Sequence, residues 1–412
     1  MAKRIAIDTA TSRILLIFSM ILGALIPDIR GGININYHQS IIYDDNIFRN
    51  SILSTDMLYL YAIDLSYPFD FEKVNVSLGY NGGFYRYQDY NEHRFDINSF
   101  DAAFRIPIVG NLQSSTVFSL SENNHAEDHT IFDNENFRFS TILQLNLRDR
   151  FVQAAGFSYT DKDYENALEL SFRESKFSIN SRLFLESRTS LIMDLHFKRK
   201  TFSHDVFGFE KVLYKKNTGD GQYGKGPGPH GGYGSNNPYR ADSVVVVTNI
   251  SGPGVSQFIL NLKIAQSITT STGVSINFTR FFPASETTRY LTGQEYLYDF
   301  DNELYDDPYT FSSSGTQFTL TQLLPFDVKF DASVDYADKN YNYYVDSLST
   351  AGQNRADTQW RYGVGLQKNF LIHKIIDEVG IRMDAIWINN ISNEDYFDYE
   401  GFSVMTGIDV LF

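Results

Sequence analysis

Residues 137–147 of the chain read FRFSTILQLNL, and this stretch decides the fold. Apolar side chains recur at nearly every second position from Phe137 to Leu147, whereas Arg138 and Gln144 are among the polar residues between them. A period of two places alternate side chains on opposite faces of an extended strand. The stretch therefore predicts a β-strand with one apolar face and one polar face.

The same alternation recurs along most of the chain, and we find no long stretch with helical periodicity. About sixteen segments show it, near residues 32–43, 54–67, 72–87, 95–107, 111–123, 133–147, 150–162, 168–186, 188–202, 243–267, 271–283, 309–323, 326–340, 356–370, 377–392 and 400–412. Two of them, 168–186 and 243–267, are longer than the roughly 9–11 residues that a tilted membrane strand needs. Fourteen or eighteen strands therefore stay open as alternatives.

The connections between these segments alternate between short turns and longer polar loops. The longest loops lie near 203–241 and 284–308. Outer-membrane barrels have short periplasmic turns and long extracellular loops. The pattern predicts an all-β chain that forms one closed antiparallel transmembrane β-barrel of about sixteen strands.

The first thirty residues have the features of an export signal. Lys3 and Arg4 precede an apolar stretch from Ile14 to Ile26, which is too short to span a bilayer as a helix. We predict a signal peptide over 1–30, cleaved near Ala24 or among residues 30–32, and a barrel over 31–412.

Composition excludes several classes of protein. The chain has no cysteine, which rules out disulfides and thiolate chemistry, and its formal charge of −15 argues against nucleic-acid binding. Its hydrophobic content of 42% and aromatic content of 15% are too high for a disordered chain.

The C-terminal segment ends in an aromatic residue, with Val410 two positions before Phe412 and Gly407 further upstream. This segment resembles the terminal strand of Gram-negative outer-membrane β-barrel proteins. The resemblance implies outer-membrane localisation, recognition by the barrel-assembly machinery and contact with outer-membrane lipid. Residues 43–48, which read YDDNIF, are also similar to the opening strand of the loosely defined putative β-barrel porin families, although an Asp/Asn turn that closes a strand explains them equally well.

Sixteen strands enclose a lumen that side chains cannot fill, so the expected function is a porin-like channel for passive diffusion of small hydrophilic solutes. We expect charged residues on the polar face to form a mixed-charge lumen wall without catalytic roles. The candidates are Arg138, Arg182, Asp194, Lys198, Lys263, Asp331, Arg361 and Asp384. The acidic net charge favours cations weakly, unless it resides mainly in solvated loops. A homo-oligomer, such as a trimer, is a further expectation.

Two other functions stay open. The chain could be a surface-exposed scaffold or a secretion-complex barrel with a plugged lumen, which would act through its 203–241 and 284–308 loops. A membrane-embedded hydrolase using His196 is a remote alternative, because no nucleophile motif accompanies that histidine. We expect no enzymatic activity and no cofactor.

Weak candidates for metal binding lie in predicted loops. His125 and His129 flank two acidic residues, and Asp299, Asp301 and Glu303 stand among tyrosines. Plain solvated loops are the favoured interpretation of both groups. Residues 219–225 have the spacing of a phosphate-binding loop, but no Ser or Thr and no helix follows them.

Overall fold

A computed structural model describes residues 32–147, 150–203, 206–213, 243–250, 254–284, 309, 311–344, 354–372 and 376–412. The predicted signal peptide and most of the two longest loops lie outside the described residues.

The described chain forms eighteen strands. They are β1 (Asn34–Asp44), β2 (Asp56–Asp70), β3 (Asn75–Tyr87), β4 (Phe95–Val109), β5 (Leu112–His125), β6 (Asn134–Leu147), β7 (Phe151–Tyr164), β8 (Phe172–Phe184), β9 (Thr189–Phe202), β10 (Val206–Leu213), β11 (Ser243–Ile250), β12 (Gly254–Ser267), β13 (Thr272–Pro283), β14 (Phe311–Leu324), β15 (Val328–Tyr344), β16 (Asn354–Leu371), β17 (Glu378–Ser392) and β18 (Tyr399–Leu411). Sixteen of them form one closed antiparallel barrel, in which β1 pairs with β18. The predicted fold class and the count of sixteen are both confirmed.

The remaining two strands, β10 and β11, pair with each other as a separate two-stranded sheet. Sequence analysis placed residues 206–213 in a loop and merged residues 243–250 with the next barrel strand. The stretch 206–213 has no clean alternation, which explains why it reads as a loop. The sequence Gly252-Pro253-Gly254 separates β11 from β12, and this break accounts for the excessive length of the predicted segment.

The barrel has a short-turn end and a long-loop end. Both chain termini of the barrel and seven tight connections, such as the turn at Gly110, lie at the short-turn end. Gly110 has a φ of 55°, a left-handed conformation that glycine adopts without strain. Short 3-10 helices at Asn91–His93, Glu127–Phe132, Leu168–Leu170 and Asp395–Phe397 occupy connections at the long-loop end. Among the described residues, no helix has the length and hydrophobicity to cross a membrane.

Alternation along each strand defines an outer face and an interior face. The outer face carries cross-strand pairs of phenylalanines, such as Phe157 and Phe177, whose ring centroids are 5.0 Å apart. On the described strands, the charged residues of this face lie toward the strand ends. They are Arg86, Asp96, Glu122, Glu135, Asp161, Asp163, Arg173, Arg199, Arg280, Asp338, Lys368 and Glu400. An uncharged apolar belt therefore surrounds the middle of the barrel, as contact with lipid requires.

The interior face is packed at the long-loop end and open at the short-turn end. Its buried charged residues all belong to the long-loop half, and they are Asp44, Asp56, Lys162, Lys200, Arg355 and Asp357. Leu58, Tyr87 and Phe95 form an apolar cluster in the same half. By contrast, Arg182 and Lys263 in the other half are exposed. Side chains therefore narrow one end of the lumen and leave the other end accessible to water.

Candidate functional site: the charged interior of the barrel

The structure places all eight predicted lumen residues on the interior face. Because residues paired across an antiparallel ladder share a face, the register links them to one another and to the buried interior residues. Arg182 and Lys263, for example, both pair with Ile192 on β9. Arg138, Arg182, Lys263 and Arg361 are exposed, and the other four are partly buried.

One part of this face is mainly basic. We call the interior face of β6 to β9 and β12 the basic sector. Its lysines and arginines are Arg138, Lys162, Lys176, Arg182, Lys198, Lys200 and Lys263. Its described acids are Glu174 and Asp194. Cations thus outnumber acids there by seven to two.

The other charged part is mainly acidic. We call the interior face of β15 to β18 and β1 to β4 the acidic sector. Its acids are Asp44, Asp56, Asp64, Asp70, Asp101, Asp331, Asp335, Asp357, Glu378, Asp384 and Asp409. Its lysines and arginines are Arg105, Lys329, Lys339, Arg355, Arg361 and Arg382. The wall has both signs, as expected, but the two signs are segregated around the lumen.

Strands without charge separate the two sectors. In the described parts of β13 and β14, the interior face has only uncharged side chains, such as Asn277 and Gln317. On the other side, β5 presents small polar residues such as Ser115 and Ser119, and its interior face ends at His125. A solute inside the barrel therefore lies between a positive wall and a negative wall.

Several carboxylates of the acidic sector contact basic side chains next to them. The Nζ atom of Lys329 lies 2.7 Å from Oδ2 of Asp331. Arg382 Nε lies 2.5 Å from Asp384 Oδ2, and His38 Nδ1 lies 2.6 Å from Asp409 Oδ1. These three carboxylates thus have partners that limit their attraction for a passing cation.

The basic sector is less compensated. Within the described part of the chain, Arg138, Lys176, Arg182 and Lys263 have no acidic partner within 4.0 Å. Arg182 donates only to the amide oxygen of Asn180, at 3.0 Å. These cationic groups therefore stay available to a solute.

The long-loop end of the basic sector contains a cluster around Lys200. Its Nζ lies 4.2 Å from the ring centroid of Phe172 and 5.3 Å from that of Tyr309, distances at which cation–π attraction operates. Tyr309 also donates a hydrogen bond of 2.8 Å to Oε2 of Glu174. Because Tyr309 precedes β14 and Glu174 lies on β8, this contact joins two sides of the lumen entrance.

A second buried cluster fixes the loop between β17 and β18. Arg355 lies 4.1 Å from the ring centroid of Tyr341 and 3.4 Å from that of Phe397, and it forms an ion pair with Asp357. The side chains of Arg355 and Asp357 are 5% and 1% exposed. Asp357 also accepts a hydrogen bond of 2.7 Å from Ser392 Oγ. In the loop itself, burial raises the pKa of Glu394.

The histidine candidates for metal binding lie in an aromatic contact. The ring of His129 stacks on His93 with centroids 4.2 Å apart, and His125 Nδ1 lies 3.3 Å from Asp133 Oδ1. In the described residues, no group of three or more potential ligands has the geometry to hold a metal ion. The candidates Asp299, Asp301 and Glu303 lie outside the described residues, as do residues 219–225.

The C-terminal residues form part of the barrel seam. Gly407 pairs with Ser40 on β1, and Val410 pairs with Tyr37. The backbone N–H of Phe412 donates to the carbonyl of Ile35 at 2.9 Å. The segment predicted as an assembly signal thus also closes the barrel.

Residues 43–48 form the turn that sequence analysis offered as the alternative interpretation. Asp44 accepts a hydrogen bond of 2.9 Å from the backbone N–H of Asn46 and forms an ion pair with Arg49. The Asn46 side chain donates to the carbonyls of Asn50 and Glu400. The turn therefore ties the first loop to β18.

Sequence analysis missed Lys176, Lys200 and Tyr309 as site residues. Alternation from Phe177 places Lys176 on the polar face, so this lysine could have been found from the pattern. The position of Tyr309 could not, because the contact depends on the approach of β14 to β8. His196, proposed for a hydrolase, has a buried Nδ1 that makes no hydrogen bond in the described residues.

A closed sixteen-stranded antiparallel barrel with an uncharged apolar belt, a charged interior and two unequal ends has the architecture of an outer-membrane porin. The fold and its interior face define a transmembrane β-barrel.

Several solved structures are similar to this chain over most of its length. The chain is similar to OccAB1 of Acinetobacter baumannii, with 10% identity over 94% of this chain and 97% of that chain and a TM-score of 0.47. It is similar to OccK5 (OpdH) of Pseudomonas aeruginosa, with 12% identity over 93% and 98% of the two chains and a TM-score of 0.45. The outer membrane protein opdK from the same organism has 9% identity over 92% and 99% and a TM-score of 0.45. No family model and no curated protein matches the sequence.

Proposed function

We propose that the protein is an outer-membrane channel through which small hydrophilic solutes diffuse passively. The exposed charge on the interior face carries this proposal. Arg138, Arg182, Lys263 and Arg361 are exposed although they face the inside of a closed barrel. An exposed charged side chain inside a barrel requires a water-filled lumen, since burial of an unpaired charge in a dry interior is prohibitively costly.

Conductance of the purified full chain in planar bilayers tests the proposal. A water-filled lumen predicts discrete current steps in potassium chloride above the background of a detergent-only control. Absence of such steps from folded protein would remove the proposal. Folding is checked independently by the shift in gel migration on heating that barrels of this kind undergo.

The alternative of a plugged scaffold or secretion barrel has one specific observation in its favour. The Lys200 cluster and the Arg355 cluster occupy the long-loop end of the lumen, where interior residues are buried. A plug predicts folded protein without conductance, together with a stoichiometric partner that copurifies with it.

Export and assembly into the outer membrane are part of the proposed function. A signal peptide over 1–30 would direct export, and Gly407, Val410 and Phe412 would present β18 to the barrel-assembly machinery. The apolar belt would contact outer-membrane lipid. Crosslinking in native membranes tests whether the chain forms a homo-oligomer such as a trimer.

A further inference from the structure

Two lysines stand directly opposite each other in the middle of the basic sector. Lys176 on β8 and Lys198 on β9 are Cα partners in the ladder, so their side chains leave the sheet on the same face and side by side. Like charges in this arrangement destabilise a sheet. The pair therefore has a cost that a functional role would explain.

The surrounding acids do not neutralise the pair. Lys176 interacts electrostatically with Lys198, Glu174, Asp194 and Arg138, and no acid lies within 4.0 Å of it in the described chain. Lys198 Nζ is 3.9 Å from Oε1 of Glu174, the limit of an ion pair.

Both neighbouring carboxylates are already engaged by neutral donors. Glu174 accepts the hydroxyl of Tyr309, and Asp194 accepts the amide of Asn180. His196, beside the pair, keeps a buried Nδ1 without a hydrogen bond in the described residues. Lys176 therefore has two cationic neighbours, Lys198 and Arg138, whereas the two neighbouring acids already accept hydrogen bonds from neutral donors.

We propose that Lys176, Lys198 and Arg138 form an anion-binding subsite on the lumen wall, which takes the carboxylate or phosphate group of a small solute. This inference rests on the proposed channel function and adds the class of solute. An oxyanion placed between the two ammonium groups would remove their repulsion and accept charge-assisted hydrogen bonds. The subsite therefore predicts anion preference in a chain whose net charge is −15.

The position of the subsite suits a solute in transit. Lys176 lies two residues further into the barrel than Glu174, to which Tyr309 bonds at the entrance. Arg182 and Lys263 follow toward the short-turn end. An anion that leaves the subsite thus meets further cationic groups along the same wall.

The reversal potential of the full chain in a tenfold potassium chloride gradient tests this inference. Wild type should prefer chloride, and Lys176→Gln or Lys198→Gln should lower the chloride-to-potassium permeability ratio by about threefold. Lys368→Gln is the matched control, because it removes the same charge from the outer face of the barrel. It should leave the ratio nearly unchanged. Inorganic phosphate should also reduce chloride current in wild type and in Lys368→Gln, but less in the two subsite variants.

Stability gives a readout that is independent of transport. Removal of either opposed lysine relieves repulsion, so both subsite variants should unfold at or above the wild-type temperature. An open channel that prefers potassium, or equal shifts in all three variants, overturns the subsite and leaves the channel intact. Folded protein without current overturns both proposals.

Discussion

Tyr309 donates its hydroxyl to Glu174 across the entrance of the barrel, over a distance of 2.8 Å. Three strands, β9, β12 and β13, separate β8 from β14 along the wall. The contact therefore crosses the entrance between two strands that are not neighbours, and it holds Tyr309 against Lys200. It makes Tyr309, which lies two residues before β14, a determinant of how wide the entrance is.

Loss of this contact should widen the entrance. Tyr309→Phe removes the hydroxyl and keeps the ring over Lys200. The contact across the entrance then loses its hydrogen bond to the Glu174 carboxylate, and a hydrogen bond to a charged group is worth about 1.5–3 kcal/mol. We expect a higher single-channel conductance in planar bilayers.

Tyr159→Phe is the matched control for that measurement. Tyr159 also donates to a carboxylate, Asp161, at 3.2 Å, but on the outer face. Its removal should leave conductance unchanged. If Tyr309→Phe and Tyr159→Phe have the same conductance, the hydrogen bond from Tyr309 to Glu174 does not determine the width of the entrance.

The Arg355–Asp357 pair should contribute strongly to the stability of the long-loop end. Arg355→Met leaves the carboxylate of Asp357 buried without its cation, which typically costs about 3–5 kcal/mol. We expect a lower unfolding temperature, measured by the loss of the folded band on heated gels.

A double variant separates lost pairing from lost packing. Replacement of both residues, Arg355→Met with Asp357→Leu, removes the uncompensated charge and should be closer to wild type than Arg355→Met alone. A double variant that is less stable than the single variant would show that the pair itself, and not the orphaned charge, stabilises the loop.

The assignment of faces can be tested with two adjacent residues of β12. Leu262 belongs to the outer face, where it is 40% exposed, and Asn261 pairs with Asp194 on the interior face. Leu262→Lys places a charge toward lipid and should cost about 2–4 kcal/mol, whereas Asn261→Lys should assemble normally. Urea unfolding in lipid vesicles measures both. Equal stabilities would contradict the assignment.

Much of the barrel could be predicted because each strand carries its own signal. The alternation from Phe137 to Leu147 identifies a strand without reference to any neighbour, and its polar positions identify the interior face. Register between strands has no such local signal. For this reason the opposition of Lys176 and Lys198 appears only once β8 and β9 are paired. The segregation of charge around the lumen likewise appears only when all the strands are paired.

The clusters at the long-loop end were beyond sequence reasoning for a different physical reason. Arg355 and Asp357 alternate like any pair of interior residues, and their spacing of two is consistent with exposure or burial. Their burial depends on Phe397 in another loop. Contacts of this kind arise from the closure of the barrel and not from a pattern within one segment.

The loop cluster around His93 should open as the pH falls. Burial and the neighbouring His129 lower the pKa of His93 from 6.5 to about 4, while Glu92 and Asp56 act in the opposite direction and His125 reinforces the shift. Above pH 6.5 the ring is neutral in both the closed and the open loop, so it makes no difference to stability. Between pH 6.5 and 4 the open loop takes up a proton that the closed loop does not, so the closed form loses stability progressively.

Hydrogen exchange of residues 88–94, corrected for intrinsic rates, measures this opening at pH 7.5 and pH 5.0. We expect weaker protection at pH 5.0 in wild type and no such change in His93→Phe, which keeps an aromatic ring against His129 without a titratable group. The loop of residues 393–398 is an internal control with the opposite sign. The raised pKa of Glu394 stabilises that closed loop below pH 4.5, and this contribution is lost as pH rises through the folded pKa. Acid should therefore leave its protection unchanged or increase it, and parallel loss of protection in both loops would contradict a role for His93.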